Sequence, residues 1–358
     1  MSSDYWPESA RFKAWKDEKK PVICYTMPGI RLDPLSNEAN LDLSKINLEK
    51  KINELLVKGK FEKVIDVTSH VLTTWGQGNG CAGRSSELTE MGFRIWTIRF
   101  QCMFLLKRHS DVLTELIAFD ELDAPDLYHQ YKTDRTGSIV PFAFRLIHSE
   151  APRFSPFPWK SIDRLTLLAE TTRKILEECT QKDTEQYRLW LSRLKSVKIV
   201  LSKTLFKLGE YEESMSVLHE VYLSENDLKE KASIARSLLR MAIHSGDEKA
   251  VNFYTEAAGS QQGTELLLHK VYRGIFLGAY PHAQEYMNRI KQSGETSNLI
   301  NNTAAITALY TGKVNEAVKI LKLPKKEMND KMVTNLKTTS ELCFSTARKE
   351  ELSEYFSD

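Results

Sequence analysis

The sequence predicts an all-α protein, a right-handed α-solenoid of about five to seven helical hairpins preceded by an extended N-terminal arm. Recurring glycines are the first reason. They stand at 209, 246, 278 and 312, at intervals of 37, 32 and 34 residues. Each sits between two apolar runs of helical period, where a tight corner needs a left-handed backbone that Gly adopts without a Cβ clash. The second reason is the packing pattern after each corner: Ser214, Leu218, Val221; Ala250, Tyr254, Ala257; Ala283, Met287, Ile290; and Ala317, Leu321, with Pro324 closing the last. A small residue there lets the two helices of a hairpin approach closely, and Ala305 is placed to meet Ala317. The third is the stretch Leu208-Gly209-Glu210-Tyr211-Glu212-Glu213, which puts carboxylates in a first helical turn, where the helix dipole favours them.

A period close to 34 residues, a glycine corner and a small-large-apolar second helix together describe tetratricopeptide (TPR) hairpins. Along the chain, residues 1–45 carry Trp6 and Trp15, Pro7, Pro21, Pro28 and Pro34 without sustained periodicity, and read as an extended, partly disordered arm. Its aromatic elements, Tyr5-Trp6-Pro7 among them, are suited to dock on the chain's own helices or on a partner. Residues 46–120 read as N-terminal TPR-like hairpins. In the first, Leu48, Ile52, Leu55 and Leu56 lead through Lys58-Gly59-Lys60-Phe61 to Val64, Thr68 and Val71. In the second, Trp96, Phe100 and Met103 precede a corner at Lys107 to Ser110 that lacks glycine, followed by Val112, Leu116 and Phe119. The glycine run between them contains G-x-G-x-x-G at 78–83, but it follows a helix and has no strand before it, so it reads as a linker rather than a phosphate cradle.

Residues 121–183 interrupt the repeat. Glu121 to Gly137, with Pro125, Tyr128 and Tyr131, continue no helix and form no strand pattern. Helical character returns around Val140 to His148, with Pro141 in a first turn, and after the Pro152 to Pro158 break a helix runs to about Glu178. Long irregular loops are often functional, and interfaces favour aromatic anchors. Tyr128, Tyr131 and Phe142 are therefore the candidate partner-binding residues, docking the chain to another subunit. In the alternative, Tyr128 and Tyr131 fold back and plug the broken repeat. Residues 184–358 read as the C-terminal TPR array, ending in a solvating helix from Lys331 to Ala347.

Composition narrows the function. Lys and Arg total 50 against 48 for Asp and Glu, and a net charge of +2 offers no field to hold nucleic acid or an anionic membrane. The longest uncharged run, Thr296 to Gly312, is too rich in Asn and Thr to enter a bilayer, so no direct membrane insertion is expected. Asp4, Glu8 and Arg11 stand where a signal peptide would be apolar, and a cytoplasmic location is expected. The five cysteines, 24, 81, 102, 179 and 343, make no C-x2-C pair and read as reduced thiols, mostly buried. The eight histidines form no H-x3-H or H-E-x-x-H set, and no nucleophile elbow or P-loop occurs. No catalytic residue, metal site or cofactor is expected, and the chain reads as a non-enzyme.

Asp126-Leu127-Tyr128-His129-Gln130-Tyr131, then Gly137-Ser138-Ile139-Val140-Pro141-Phe142 and Arg145-Leu146-Ile147-His148-Ser149-Glu150, resemble the subunit-12 family of the trafficking protein particle (TRAPP) complex. A second match is Asn301-Asn302-Thr303-Ala304-Ala305 with Leu309-Tyr310 and Gly312-Lys313 after it. The resemblance covers residues 45–345, and the long N-terminal extension of larger members is expected to be missing. It implies a non-catalytic subunit of a TRAPP III-type tethering complex in ER-to-Golgi traffic and Golgi organisation, peripheral to the early secretory compartments. The partners it implies are other TRAPP subunits and, through the complex core, a Rab-family GTPase. The competing function is a chaperone- or peptide-binding TPR adaptor, in which Asn301 and Asn302 would belong to a carboxylate clamp. Glu265-Leu266-Leu267-Leu268 on the preceding first helix supplies no basic pair for that clamp.

Overall fold

A computed structural model describes residues 5–18, 45–77, 88–117, 119, 122–131, 133–179, 184–259, 263–322 and 328–342. The described residues form sixteen α-helices, a few one-turn 3-10 helices and an isolated antiparallel bridge between Tyr128 and Ser138. The fold is all-helical, built of TPR-like hairpins, and divides into two compact units, residues 1–217 and 218–358. Gly78, Gly80 and Gly83 of the glycine run, Pro324, Cys24, Cys81, Cys343 and the end of the expected terminal helix lie outside the described residues.

In the first unit, α1 spans Ala10–Glu18, α2 Lys45–Val57, α3 Phe61–Thr74, α4 Glu90–Leu105, α5 His109–Leu116, α6 Phe142–Glu150, α7 Trp159–Glu178 and α8 Glu185–Leu208, followed by the first half of α9, Tyr211–Ser224. Leu48 and Ile52 of α2 share a core with Val64 and Val71 of α3, as their spacing predicts. The α4–α5 hairpin also forms. Thr89 caps α4 by accepting the Gly92 N–H, and Phe93, Trp96 and Phe100 close with Phe119 and Phe144 into an aromatic cluster with centroids 5.0 to 6.4 Å apart. At its glycine-less corner Lys107 takes the left-handed conformation itself, at φ +59°, and among the described residues no other non-glycine does so. The corner bonds compensate: Arg108 N–H reaches back to Met103 O at 2.9 Å and Lys107 N–H to Phe104 O at 3.1 Å.

Behind this hairpin lies a buried ion pair. Arg99 of α4, 1% exposed, donates to both Glu115 oxygens of α5 at 2.7 and 2.8 Å and to Ile65 O and Ser69 Oγ of α3. One guanidinium thus ties three helices, and its fork geometry leaves few of its donors unused. Further on, α8 ends at Gly209, φ +93°, with Glu210 N–H bonded to Leu205 O at 3.1 Å. Ser202 and Ser214 then meet across the α8–α9 hairpin, each hydroxyl donating to the other's carbonyl, at 2.9 and 2.7 Å.

The N-terminal arm departs from expectation. Residues 10–18 are helical rather than extended, because Phe12 and Trp15, one turn apart, present a common face to the rest of the unit. The Ser9 side chain accepts the Phe12 N–H at 3.0 Å and starts that helix.

In the second unit the rest of α9 leads into α10 Leu228–Ser245, α11 Glu248–Ala257, α12 Thr264–Phe276, α13 Tyr280–Gln292, α14 Asn298–Tyr310, α15 Val314–Leu321 and α16 Asp330–Glu341. Gly246, Gly278 and Gly312 have φ of +79°, +70° and +79°, so each corner glycine is where the backbone requires it. Asp227, Asp247, Ser297 and Asn329 cap the following helices with their side chains. The small position falls five residues after each glycine: Ser214, Ala283 and Ala317 are fully buried there. In the second repeat that position is Val251, and the buried set is Val251, Tyr254 and Ala258, which corrects the expected Ala250 and Ala257 by one residue. The second helix begins two residues after every one of these glycines, so the register is the same in all four hairpins, and Ala250, four residues after Gly246, stands one position short of it. Ala305 and Ala317 are buried in one cluster, as expected. The α12–α13 approach is closer still, since a Cβ on Gly274 would lie 3.1 Å from the Cβ of Ala283. Of the cysteines, Cys102 is a buried free thiol whose pKa burial raises, and Cys179 is free and half-buried.

Candidate protein-interaction site

The interrupting segment folds locally through two short ladders. His129 N–H donates to Gly137 O and Ile139 N–H to Leu127 O, both at 2.9 Å, which brings the chain back on itself around the Tyr128 to Ser138 bridge. The Ser138 hydroxyl donates to Leu127 O at 3.1 Å and accepts the Val140 N–H at 3.2 Å. Arg145 on α6, almost fully buried, reaches into this loop and donates to Ser138 Oγ at 3.0 Å, Leu122 O at 3.1 Å and Asp123 Oδ1 at 2.8 Å. The broken repeat is therefore held by a guanidinium where a regular repeat would use apolar contact.

Onto this loop the arm is latched. Trp6 Nε1 donates to Asp123 Oδ1 at 2.9 Å, and the Arg145 guanidinium lies 4.0 Å from the Trp6 ring centroid. Ser9 Oγ donates to Asp123 O at 2.8 Å. Tyr128, 1% exposed, stacks on Phe12 at 4.5 Å, accepts the Ser9 N–H at 3.1 Å and donates its hydroxyl proton to Pro7 O at 2.9 Å. Burial, with the Asp123 charge adding to it, pushes the Tyr128 pKa up to about 12, so the phenol keeps the proton this bond needs.

The three candidate residues therefore occupy different settings. Tyr128 lies beneath the arm. Tyr131 is half-buried with its ring 5.0 Å from Trp15, and Phe142 is half-buried, edge-on to Trp190 at 6.0 Å and 5.1 Å from the Arg193 guanidinium. Tyr128 and Tyr131 converge on the arm; Tyr128 belongs to the cluster that contains Leu165, Leu168, Trp190 and Val197, and Phe142 packs against it. Phe12, Trp15, Asp123 and Arg145 complete the joint and are not among the sequence-predicted site residues. Phe12 and Trp15 could have been found from their one-turn spacing, whereas nothing local marks Asp123 and Arg145 as a pair.

His148, next to this joint, has its pKa driven down to about 3, by burial first and by the nearby Arg164 charge second, so it stays neutral. Among the described residues no group of three His, Cys, Asp or Glu side chains is placed to hold a metal ion. Among them, too, no helix is long and apolar enough to cross a membrane. In the second unit the Asn302 side-chain oxygen accepts from Asn335 Nδ2 at 2.8 Å, which engages one residue of the imagined carboxylate clamp.

No family model matches the chain. A solved tetratricopeptide repeat protein from Parabacteroides merdae aligns with 82% of this chain and 98% of its own length, at 9% identity and a TM-score of 0.49. Human trafficking protein particle complex subunit 12 is 25% identical over 369 residues, 88% of this chain and 50% of its own. The mouse subunit is likewise 25% identical over 88% of this chain and 46% of its own. The chain spans about half the length of these curated relatives, and it is a distant homologue of trafficking protein particle complex subunit 12.

Proposed function

We propose that the chain is a non-catalytic scaffold subunit of a TRAPP III-type vesicle-tethering complex, acting in ER-to-Golgi traffic and Golgi organisation. The observation that carries this reading is the relationship to subunit 12 along 88% of the chain. The helical hairpins within each unit support it, because repeated hairpins offer wide surfaces for other proteins and each needs only its neighbours for stability. On this reading the chain is cytoplasmic and peripheral to early secretory membranes. Its partners are other TRAPP subunits, and a Rab-family GTPase is reached through the complex core.

Tyr128 and Tyr131 serve docking in this proposal through the arm they hold, and Phe142 through its half-buried ring beside Trp190. Tyr131, Trp15 and Phe142 keep part of their rings at the surface, while Tyr128 fixes the arm beneath them. Affinity purification of the tagged chain from its own cells, read by mass spectrometry, tests the assignment. Core TRAPP subunits in near-equal amounts are expected, and their absence overturns it. Trp15→Ala combined with Tyr131→Ala tests the docking surface alone, because the Tyr128 to Phe12 stack is left in place. Loss of co-purifying subunits at an unchanged melting temperature supports that surface, and full retention removes it.

A further inference from the structure

A recess of about 420 Å³ opens in the first unit beside the end of α5, outside the arm joint. Leu116, Ile117, Pro152 and Phe157 line it with apolar surface, and Lys160 and Arg164 of α7 line it with positive charge. Two of its apolar side chains are far more exposed than core residues, Ile117 and Phe157 at 76% each, and Trp159 beside them is 53% exposed. Apolar groups that line a recess and yet face water mark a binding groove more strongly than scattered surface residues do.

The electrostatics have one sign. Among the described lining residues there is no carboxylate, His148 is held neutral, and Lys160 makes no ion pair among the described residues. Arg164 is fixed in direction by a 3.2 Å bond from its Nη1 to His148 O. The N-terminus of α7 adds to this: the helix runs for 20 residues, no side chain caps it, and no acidic residue stands in its first turn. Its dipole and Lys160 together favour a negative group at that end.

We propose that this groove binds a short segment of a partner protein in which large apolar side chains stand next to a carboxylate. The apolar side chains enter between Ile117 and Phe157, and the carboxylate meets Lys160. A bilayer is the poorer occupant, because lipid does not fill a recess and a net charge of +2 gives little attraction to anionic headgroups. A second copy pairing groove to groove is also poorer, since it would bring Lys160 and Arg164 of both copies into one interface with no lining carboxylate among the described residues to pair them. The groove stands apart from Tyr128, Tyr131 and Phe142, so the proposal holds whichever complex the chain joins.

Selection of a phage-displayed random dodecapeptide library on the full chain tests it. Phe157→Asp and Lys160→Glu serve as counter-selections, both at exposed positions, with unchanged circular dichroism confirming the fold. Peptides retained by the parent and lost with both variants should be enriched in apolar residues adjoining Asp or Glu. As synthetic fluorescein-labelled peptides they should bind the parent at least about tenfold more tightly than Lys160→Glu, a difference of roughly 1.4 kcal/mol. Replacing their acidic residues with Gln or Asn should weaken binding to a similar degree. The proposal is overturned if no selected peptide depends on Phe157 and Lys160, or if the amide versions bind as well. It is equally overturned if Phe157→Asp abolishes binding to phosphatidylserine vesicles, or dissociates a dimer of the chain, while leaving peptide binding intact.

Discussion

In residues 218–358 the helices of a hairpin meet through Val251, Ala283 and Ala317, each five residues after a left-handed glycine and each fully buried. In residues 1–217 neighbouring elements meet through Arg99 with Glu115 and Arg145 with Asp123, and through rings stacked on rings. The first arrangement needs only a close approach, so the same short pattern can recur. The second joins pieces of unequal length and irregular path, where carbonyls such as Leu122 O and Ile65 O would be left without donors unless a long side chain reached them. Regularity removes the need for buried charge, and irregularity restores it.

The largest test of this contrast is Glu115→Ala. It leaves the Arg99 guanidinium buried beside three helices without its counter-ion, and about 3 to 5 kcal/mol of stability should be lost. Arg99→Met with Glu115→Leu removes both charges at similar volume and should lose much less than the single change. Urea unfolding of both variants decides. If they are equally destabilised, the pair's worth lies in its bonds to Ile65 and Ser69 rather than in charge balance.

A second test acts on the arm. Phe12→Ala removes the ring that covers Tyr128, a change of the kind that costs about 3 to 5 kcal/mol in a closed core. A terminal helix can detach instead, which limits the loss to the arm's own docking energy. Hydrogen exchange should show the Phe12 and Lys13 amides, bonded to Ser9 Oγ and Ser9 O in the parent, freed from protection. Amides of α12 and α14 should be unaffected. Loss of protection throughout residues 45–217 would show that the arm belongs to the core of its unit.

The same contrast explains what could be read in the sequence. The corners at 209, 246, 278 and 312 were legible because left-handed backbone selects glycine, and the spacing between them is short-range information. The second of these hairpins reads one residue early, because the expectation of a small residue selects Ala250, whereas the buried fifth position after Gly246 carries Val251. Tyr128 and Tyr131 stood out as aromatics in a broken repeat, but their partners Phe12, Trp15 and Arg145 lie far along the chain or inside a helix, and pairing across such distances leaves no periodic trace. The Lys160 groove has no motif at all, since it is made by the end of one helix, a turn and the start of another.

Within the regular unit, Gly274→Ala sets two general effects against each other. A glycine-to-alanine change inside a helix ordinarily stabilises by about 0.5 to 1 kcal/mol. Here the new Cβ would stand 3.1 Å from the Ala283 Cβ and 3.2 Å from its backbone nitrogen, and backbone yields less readily than a flexible side chain. Overpacking of this kind costs about 1 to 3 kcal/mol, so a net loss of around 1 kcal/mol is expected in a melting experiment. A gain would mean that α12 and α13 move apart freely.

The smallest expected effect, and the most direct on the comparison, exchanges the corners. Lys107 holds φ +59° where the second unit places glycine, and a side chain there meets the following carbonyl at a penalty of about 1 to 2 kcal/mol. Lys107→Gly relieves that contact, while the added freedom of glycine in the unfolded chain takes back part of the gain. A net stabilisation of roughly 0.5 to 1 kcal/mol follows. Gly246→Ala is the reverse experiment: the space around its Cβ is open, so any loss comes from backbone conformation alone, and about 1 kcal/mol is expected. Denaturant melts of the two variants should therefore shift in opposite directions. If Lys107→Gly instead lowers stability, the lysine side chain contributes more at its corner than the left-handed backbone costs, and the irregular unit will have recruited even its missing glycine into packing.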